Sequence, residues 1–452
     1  MTSVAIIGGG PAGYEAALVA RAAGAHVQLV SDGGIGGSAV LTDVVPSKGL
    51  ISVGEVLTRF RESSRLGISS EPLPEADLGA VNERLLRLAA AQSHDIKHKL
   101  IEAGVEIIFG RGSLAAAGRV LVAGVREFSA DVVLIATGAR PRVLPTSLPD
   151  GERILTWQQL YQLAELPRRL VVVGSGVTGA EFASAYQALG ADVVLVSSRP
   201  HVLPGEDQDA AAVLESVFAK RGIEVVSEAR AASVRRVGDD VEVELADGRI
   251  VRGSHCLLAV GSVPQTEGLG LAEAGVVTDD RGFIQVNRVS RTSALGVYAA
   301  GDCTGVLPLA SVAAMQGRIA MHHALGSAVT PLDLGQVSAN VFTDPEIATV
   351  GVSQRAIDAG EVEAEVVLLP LATNARAKLA EIEDGFVKLF CQPSSRMVLG
   401  GVVVAPRASE LIHSIALAVS NRLTVADLAA TFTVYPSLTG SIAEAARQLR
   451  RD

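Results

Sequence analysis

Short apolar runs that end in glycine recur along the chain, and each is followed by residues with helical spacing. Val4-Ala5-Ile6-Ile7 is the first, an unbroken run of the kind a strand buried on both faces shows. Glycines follow, then a helical stretch over residues 14–23, then a second apolar run, Val27-Gln28-Leu29-Val30. The order repeats later in the chain. Leu170-Val171-Val172-Val173 runs into glycines, a helix opens at Ala180-Glu181-Phe182-Ala183, and Val193-Val194-Leu195-Val196 is the next strand. Between the two repeats, residues 51–66 and 77–104 carry helical periodicity, residues 104–112 give a turn and a strand, and residues 131–135 read as a buried strand. Residues 257–260 and 296–299 are further strands of the buried type, and residues 309–324 form a largely apolar helix.

From about residue 330 the pattern changes from unbroken runs to alternation. Residues 337–342, 386–390 and 398–404 alternate as strands, and helices follow over 409–420 and 442–451. Such alternation predicts an antiparallel sheet with one face covered. The expected fold class is α/β, with two Rossmann-like dinucleotide-binding units and a C-terminal α+β unit suited to a subunit interface. Residues 1–150 and 275–330 form the first unit, 151–274 the second and 331–452 the third.

Composition narrows the picture. A chain of 452 residues predicts two to three domains, and 48% hydrophobic against 19% charged residues gives ample material for cores. A net charge of −10 argues against a nucleic-acid partner. Cys256, Cys303 and Cys391 lie far apart with no C-x-x-C pair, so they offer neither a disulfide framework nor a metal site. No basic leader precedes the first strand and no apolar run is long enough to span a bilayer, which predicts a cytoplasmic protein.

The glycine clusters carry the chemistry. Gly8, Gly10 and Gly13 stand at the positions of a G-x-G-x-x-G fingerprint, and so do Gly174, Gly176 and Gly179. In each, the first glycine permits a tight turn, the second lets a pyrophosphate approach the backbone, and the third lets the helix pack on the strand. The helix N-terminus then offers free N–H groups to phosphate. Two such units in one chain predict two dinucleotides, FAD and NADPH or NADH. The ribose contact of the first falls to Ser31 or Asp32. In the second, Ser197 stands where a carboxylate would repel a 2′-phosphate, and Arg199 follows two residues on, so NADPH becomes acceptable or preferred. Small-residue strand endings at Ala136-Thr137-Gly138 and Gly261, together with Gly112, allow close approach of a dinucleotide. Asp302, after Gly301, is placed to bond a ribitol hydroxyl, and the helix beginning near Ala310 can face a reduced ring with its positive end.

These motifs, in this order, resemble the flavoprotein disulfide reductase family. The resemblance runs over nearly the whole chain, through Pro46-Ser47-Lys48, Phe342-Thr343-Asp344-Pro345-Glu346 and Arg407-Ala408-Ser409-Glu410. It implies a homodimer with FAD, NAD(P) and interface domains. It also implies an ion pair between Lys48 and Glu181 beside the flavin N5, with Lys48 tuning the flavin, and Gly37 and Ser38 approaching the flavin phosphates.

The family loop reads G-G-T-C-x-N-x-G-C-x-P-S-K. Here Gly36-Gly37-Ser38-Ala39-Val40-Leu41-Thr42-Asp43-Val44-Val45-Pro46-Ser47-Lys48 carries Ala39 and Val44 at the two cysteine positions. Thiol exchange needs an attacking thiolate and a disulfide sulfur, and the loop has neither. Near the C-terminus the family's acid/base His, contributed by the partner subunit, and its Glu are replaced by Tyr435 and Gly440. The thiol apparatus is missing as a set while the flavin and nicotinamide apparatus is intact. The pattern resembles the cysteine-less quinone-reductase members of the family. The expected activity is an NAD(P)H dehydrogenase that passes electrons from flavin directly to a quinone-like acceptor, docked against Ala39, Val44 and the partner's Tyr435. A pyridine nucleotide transhydrogenase and a redox-inert flavoprotein scaffold are the alternatives.

Overall fold

The computed structural model describes residues 1–69 and 72–450. Two parallel five-stranded sheets form its N-terminal two thirds. The first runs Val297–Ala299, Val132–Ile135, Ser3–Ile7, His26–Ser31, Glu106–Phe109 in spatial order. The second runs Glu224–Val226, Asp192–Val196, Arg169–Val173, His255–Leu258, Ile154–Thr156. Unbroken apolar strands fit such sheets because helices and loops cover both faces. In each sheet the strand that runs into the glycine fingerprint lies in the interior, with its two partners paired in parallel on either side. The strand order reverses there, and the strand ends open a crevice at the carboxyl edge.

The duplication extends to single atoms. A Cβ on Gly8 would meet Ala136 O at 2.1 Å, and one on Gly174 would meet Ala259 O at 2.2 Å. A Cβ on Gly13 would meet Gly8 O at 1.9 Å, and one on Gly179 would meet Gly174 O at 1.8 Å. Gly8 and Gly174 also hold φ of 116° and 113°, a region L side chains rarely enter. Each unit carries a three-stranded antiparallel sheet, Gly112–Ala116, Arg119–Val122 and Arg126–Ser129 in the first, Ala231–Val237, Asp240–Leu245 and Ile250–Gly253 in the second. Neither sheet is among the elements expected from the sequence; the strands of the first are only four or five residues long, while Asp240–Leu245 in the second does alternate strictly.

The stretch Gly36–Lys48, read above as a loop, is mostly helical. Helix Gly37–Leu41 is followed by helix Val44–Glu62. Pro46 sits in the first turn of the second, where its missing N–H is not needed, so the helix starts well before the periodic stretch at residue 51. The long helix is Leu78–Glu102, capped by the Asp77 carboxylate on Ala80 N at 3.0 Å.

The C-terminal sheet is antiparallel, in the order Ser338–Val341, Glu346–Gly351, Val398–Ala405, Phe386–Cys391, Glu365–Pro370. Both of its faces are covered, rather than one. Val387, Leu389, Cys391, Val403 and Ala405 pack under helices Ala408–Ser420 and Thr439–Leu449. Phe386, Phe390, Val402 and Val404 alternate with them and join the core of the second nucleotide unit. Polar-looking Lys388 hides the second burial. Its ammonium is buried on that face and meets Asp207 at 2.8 Å and Asp209 at 2.5 Å, at the start of helix Gln208–Lys220. Arg451, placed above at the end of the last helix, lies outside the described residues.

Candidate active site

The carboxyl edge of the first sheet opens into a groove of about 680 Å³. Gly8, Gly10, Ser31, Asp32, Gly37, Ser38, Gly112, Ala136, Thr137, Gly138, Gly301, Asp302 and Ala310 all line it. They come from both ends of the first unit. Strand Val297–Ala299 returns to pair beside Val132–Ile135, which carries Gly301 and Asp302 to the mouth. Helix Ala310–Ala324 then packs on helix Pro11–Ala22 so closely that a Cβ on Gly317 would meet Ala12 O at 2.2 Å. Gln316 reaches back from it to accept the Gly301 N–H at 2.8 Å.

The groove fits a dinucleotide. Gly10 caps the first helix with Pro11 at its first turn, and a Cβ there would have only Gly37 Cα, at 3.9 Å, as a neighbour within 4 Å. Backbone therefore faces the groove where a pyrophosphate needs N–H donors. Thr137 Oγ1 is buried on the groove wall with no hydrogen-bond partner among the described residues. Such a hydroxyl points to a bound group that completes it. Ser31 is buried and donates to Gly34 O at 3.0 Å, while Asp32 beside it is exposed.

One wall of the groove is Ala39, Thr42, Asp43 and Val44. Both former cysteine positions thus face it with apolar side chains. Behind this wall Lys48 Nζ meets Glu181 Oε2 at 2.7 Å, and Glu181 is buried. The other carboxylate oxygen accepts the Phe342 N–H at 2.8 Å, and the Lys48 ammonium lies 4.8 Å from the Phe342 ring centre. Lys48 stands on helix Val44–Glu62, Glu181 on helix Val177–Leu189, and Phe342 at the start of the C-terminal sheet. One carboxylate therefore ties the three units together at the edge of the groove.

The second fingerprint lies apart from this groove. Gly176 is open on its Cβ side, and so is Gly261, which follows the strand His255–Leu258 with φ of 91°. Ser197 is fully buried, its hydroxyl shared with Ser175 Oγ at 2.7 Å and with the Arg199 backbone, where it donates to O at 2.9 Å and accepts from N at 3.1 Å. It shapes the turn, and the exposed side chain beside it is Arg199. The expected contact of Tyr435 is not within this chain. Its side chain is 86% exposed, next to equally exposed Phe432 and Val434.

Asp43 was not singled out from the sequence. The family loop pattern has Gly at its place, and that mismatch was the available signal. Burial pushes the Asp43 carboxyl up to about 6, with Lys48 opposing and Glu181 and Asp302 adding to the rise. Burial also raises Asp302. All three cysteines are buried and none forms a disulfide, and burial pushes the Cys303 thiol up to about 11, with the thiol donating to Ala300 O at 3.3 Å. Gln158, Arg111, Arg140 and Gln265 also line the groove, brought there by tertiary folding with no motif to mark them.

Comparison with known proteins agrees with this geometry. Residues 2–317 match the family described as pyridine nucleotide-disulphide oxidoreductase, and residues 337–446 match its dimerisation domain. The chain belongs to this family. It is 55% identical to a protein of Mycobacterium tuberculosis named NAD(P)H dehydrogenase (quinone), over 99% of this chain and 94% of that one. It is 31% identical to a dihydrolipoyl dehydrogenase of Chlamydia trachomatis, over 98% and 95%. The crystal structure of LpdA from Mycobacterium tuberculosis superposes with a TM-score of 0.96, at 55% identity and full coverage of both chains. Membership of the family implies FAD and NAD(P)H as cofactors. Among the described residues no helix is long and apolar enough to cross a membrane, and no His/Cys/Asp/Glu group could hold a metal ion.

Proposed function

We propose that the protein is an FAD-dependent NAD(P)H:quinone oxidoreductase that works without a redox disulfide. The observation that carries this reading is the groove wall: Ala39 and Val44 face the groove where a thiol relay would sit, while the Lys48–Glu181 pair behind them is intact at 2.7 Å. Full-length similarity to a protein named for quinone reduction supports the same acceptor class.

Residues 1–150 and 275–330 hold FAD, 151–274 hold the nicotinamide dinucleotide, and 331–452 join two subunits in a homodimer. Bound FAD supplies a two-electron carrier between nicotinamide and acceptor. Gly8, Gly10, Gly13, Gly37 and Ser38 seat its phosphates, and Asp32, the exposed member of the Ser31–Asp32 pair, takes the ribose. Gly112, Ala136, Thr137, Gly138, Asp302 and the helix beginning at Ala310 complete that site. Gly174, Gly176, Gly179 and Gly261 do the same for NAD(P)H, with Arg199 available to a 2′-phosphate. Lys48 holds positive charge where the reduced ring is anionic, and Glu181 fixes its position. The exposed Phe432, Val434 and Tyr435 form an apolar patch of the sort an interface covers, and the partner's copy of Tyr435 closes the acceptor slot.

The test is anaerobic reduction by NADPH and by NADH, then turnover with menadione and with lipoamide. Menadione turnover is expected to exceed lipoamide turnover by at least a hundredfold and to survive N-ethylmaleimide, because all three thiols are buried. Equal lipoamide turnover, or loss of menadione turnover on alkylation of the folded enzyme, overturns the reading.

A further inference from the structure

Reduction of a quinone to a hydroquinone consumes two electrons and two protons, and the nicotinamide supplies only a hydride. The balance is NAD(P)H plus H⁺ plus quinone giving NAD(P)⁺ plus hydroquinone. The nicotinamide loses a C–H bond and is oxidised, two O–H bonds form on the acceptor, and one proton has to come from an acid at the site. The acid/base histidine that the family resemblance would supply is Tyr435 here, exposed in this protomer. Within a single protomer the acid has to come from the groove wall itself.

Asp43 is the N-cap residue of helix Val44–Glu62, a position where a carboxylate ordinarily accepts a first-turn N–H. Its side chain makes no such bond, and no hydrogen bond or ion pair engages that carboxylate among the described residues. The side chain instead lines the groove between Thr42 and Val44. The charged and titratable groups that face it are Lys48 from its own helix, Glu181 from helix Val177–Leu189, Asp302 from the turn after strand Val297–Ala299, and the buried Tyr161 hydroxyl. Partial burial in the wall favours the protonated acid, Lys48 opposes it, and the two carboxylates add to it. Tyr161 cannot substitute, since burial and the Asp43 charge push its pKa well above the usual phenol range.

We propose that Asp43 is the proton donor to the acceptor reduced in this groove, a role that rests on the quinone reading above. The Asp43 O–H bond breaks as an O–H bond forms on the acceptor, and the carboxylate is reprotonated by water from the groove mouth. With its carboxyl pushed up to about 6, chiefly by burial, Asp43 is matched to donation near neutral pH.

The test compares wild-type holoenzyme with Asp43→Asn and Asp43→Glu, using menadione and ferricyanide. Ferricyanide accepts electrons without taking up a proton. The ratio of menadione to ferricyanide turnover is expected to fall at least tenfold in Asp43→Asn and to recover in part in Asp43→Glu. The wild-type menadione rate should decline as pH rises from about 5 to about 8, and the Asn variant should lack that decline. Independently of turnover, the visible absorbance of the oxidised holoenzyme should titrate once over this range in the wild type and not in Asp43→Asn. An unchanged ratio with an unchanged pH profile overturns the proposal while leaving the quinone reading intact. A wild type with no menadione turnover overturns the quinone reading itself. If Asp43→Asn does not load FAD, the Glu variant decides: an unshifted pH profile overturns the proposal and a displaced one supports it.

Discussion

Burial sets the ionisation of Asp43 against the usual behaviour of an aspartate, and this has a consequence for stability as well as for proton transfer. The folded carboxyl titrates at about 6, against 3.8 for the ordinary group, so the folded chain binds this proton more tightly than the unfolded one. Stability therefore falls as pH rises from about 4 to about 6 and this contribution is level above that. Asp43→Asn removes the ionisation and costs no capping bond, since the Asp43 side chain makes none. The variant is expected to be more stable than wild type at pH 7 by on the order of 3 kcal/mol, with the gap closing below about pH 4. Urea midpoints measured across that range check it; a gap independent of pH would contradict the assignment. Asp43 was readable as a letter in the chain, but its function depends on Glu181, Asp302 and Tyr161, which only the fold brings to it.

At the scale of elements, the two glycine fingerprints make matched turns, to which the proposed function gives separate cofactors. Gly8→Ala drives a Cβ to 2.1 Å from Ala136 O, and Gly174→Ala drives one to 2.2 Å from Ala259 O. Neither carbonyl can yield without shifting its strand. Gly8→Ala is expected to give protein depleted of flavin. Gly174→Ala is expected to stay yellow while its Kd for NADPH rises more than tenfold, as read by flavin bleaching against NADPH concentration. Flavin loss from Gly174→Ala with Gly8→Ala unaffected would reverse the assignment of the units. Both fingerprints were legible because strand, glycines and helix lie within one short stretch. The first three-stranded sheet was not, since four-residue strands such as Arg119–Val122 are too short for alternation to stand out; the second was missed although Asp240–Leu245 alternates.

Over the whole molecule, Lys388 is a buried charge among the residues that hold the C-terminal sheet against the second nucleotide unit. Its side chain is 2% exposed and that of Asp207 is 3% exposed, so neither has water in reserve. Lys388→Met leaves the Asp207 carboxylate buried without its cation, a loss expected to cost about 3–5 kcal/mol. Lys388→Met combined with Asp207→Asn should recover much of that, because the asparagine still caps helix Gln208–Lys220 and carries no charge. Urea unfolding of the two variants separates a buried-charge penalty from lost packing; equal destabilisation would assign the effect to packing. The sequence by itself determined the two nucleotide units, the antiparallel C-terminal sheet and the sulfur-free loop, because each is written in a local period or a contiguous motif. Only the tertiary structure decided that the C-terminal sheet is covered on both faces, that Glu181 holds three units together, and that Asp43 lies among carboxylates. Those are properties of distance and desolvation between residues far apart in the chain, and neither quantity is carried by a residue's neighbours in sequence.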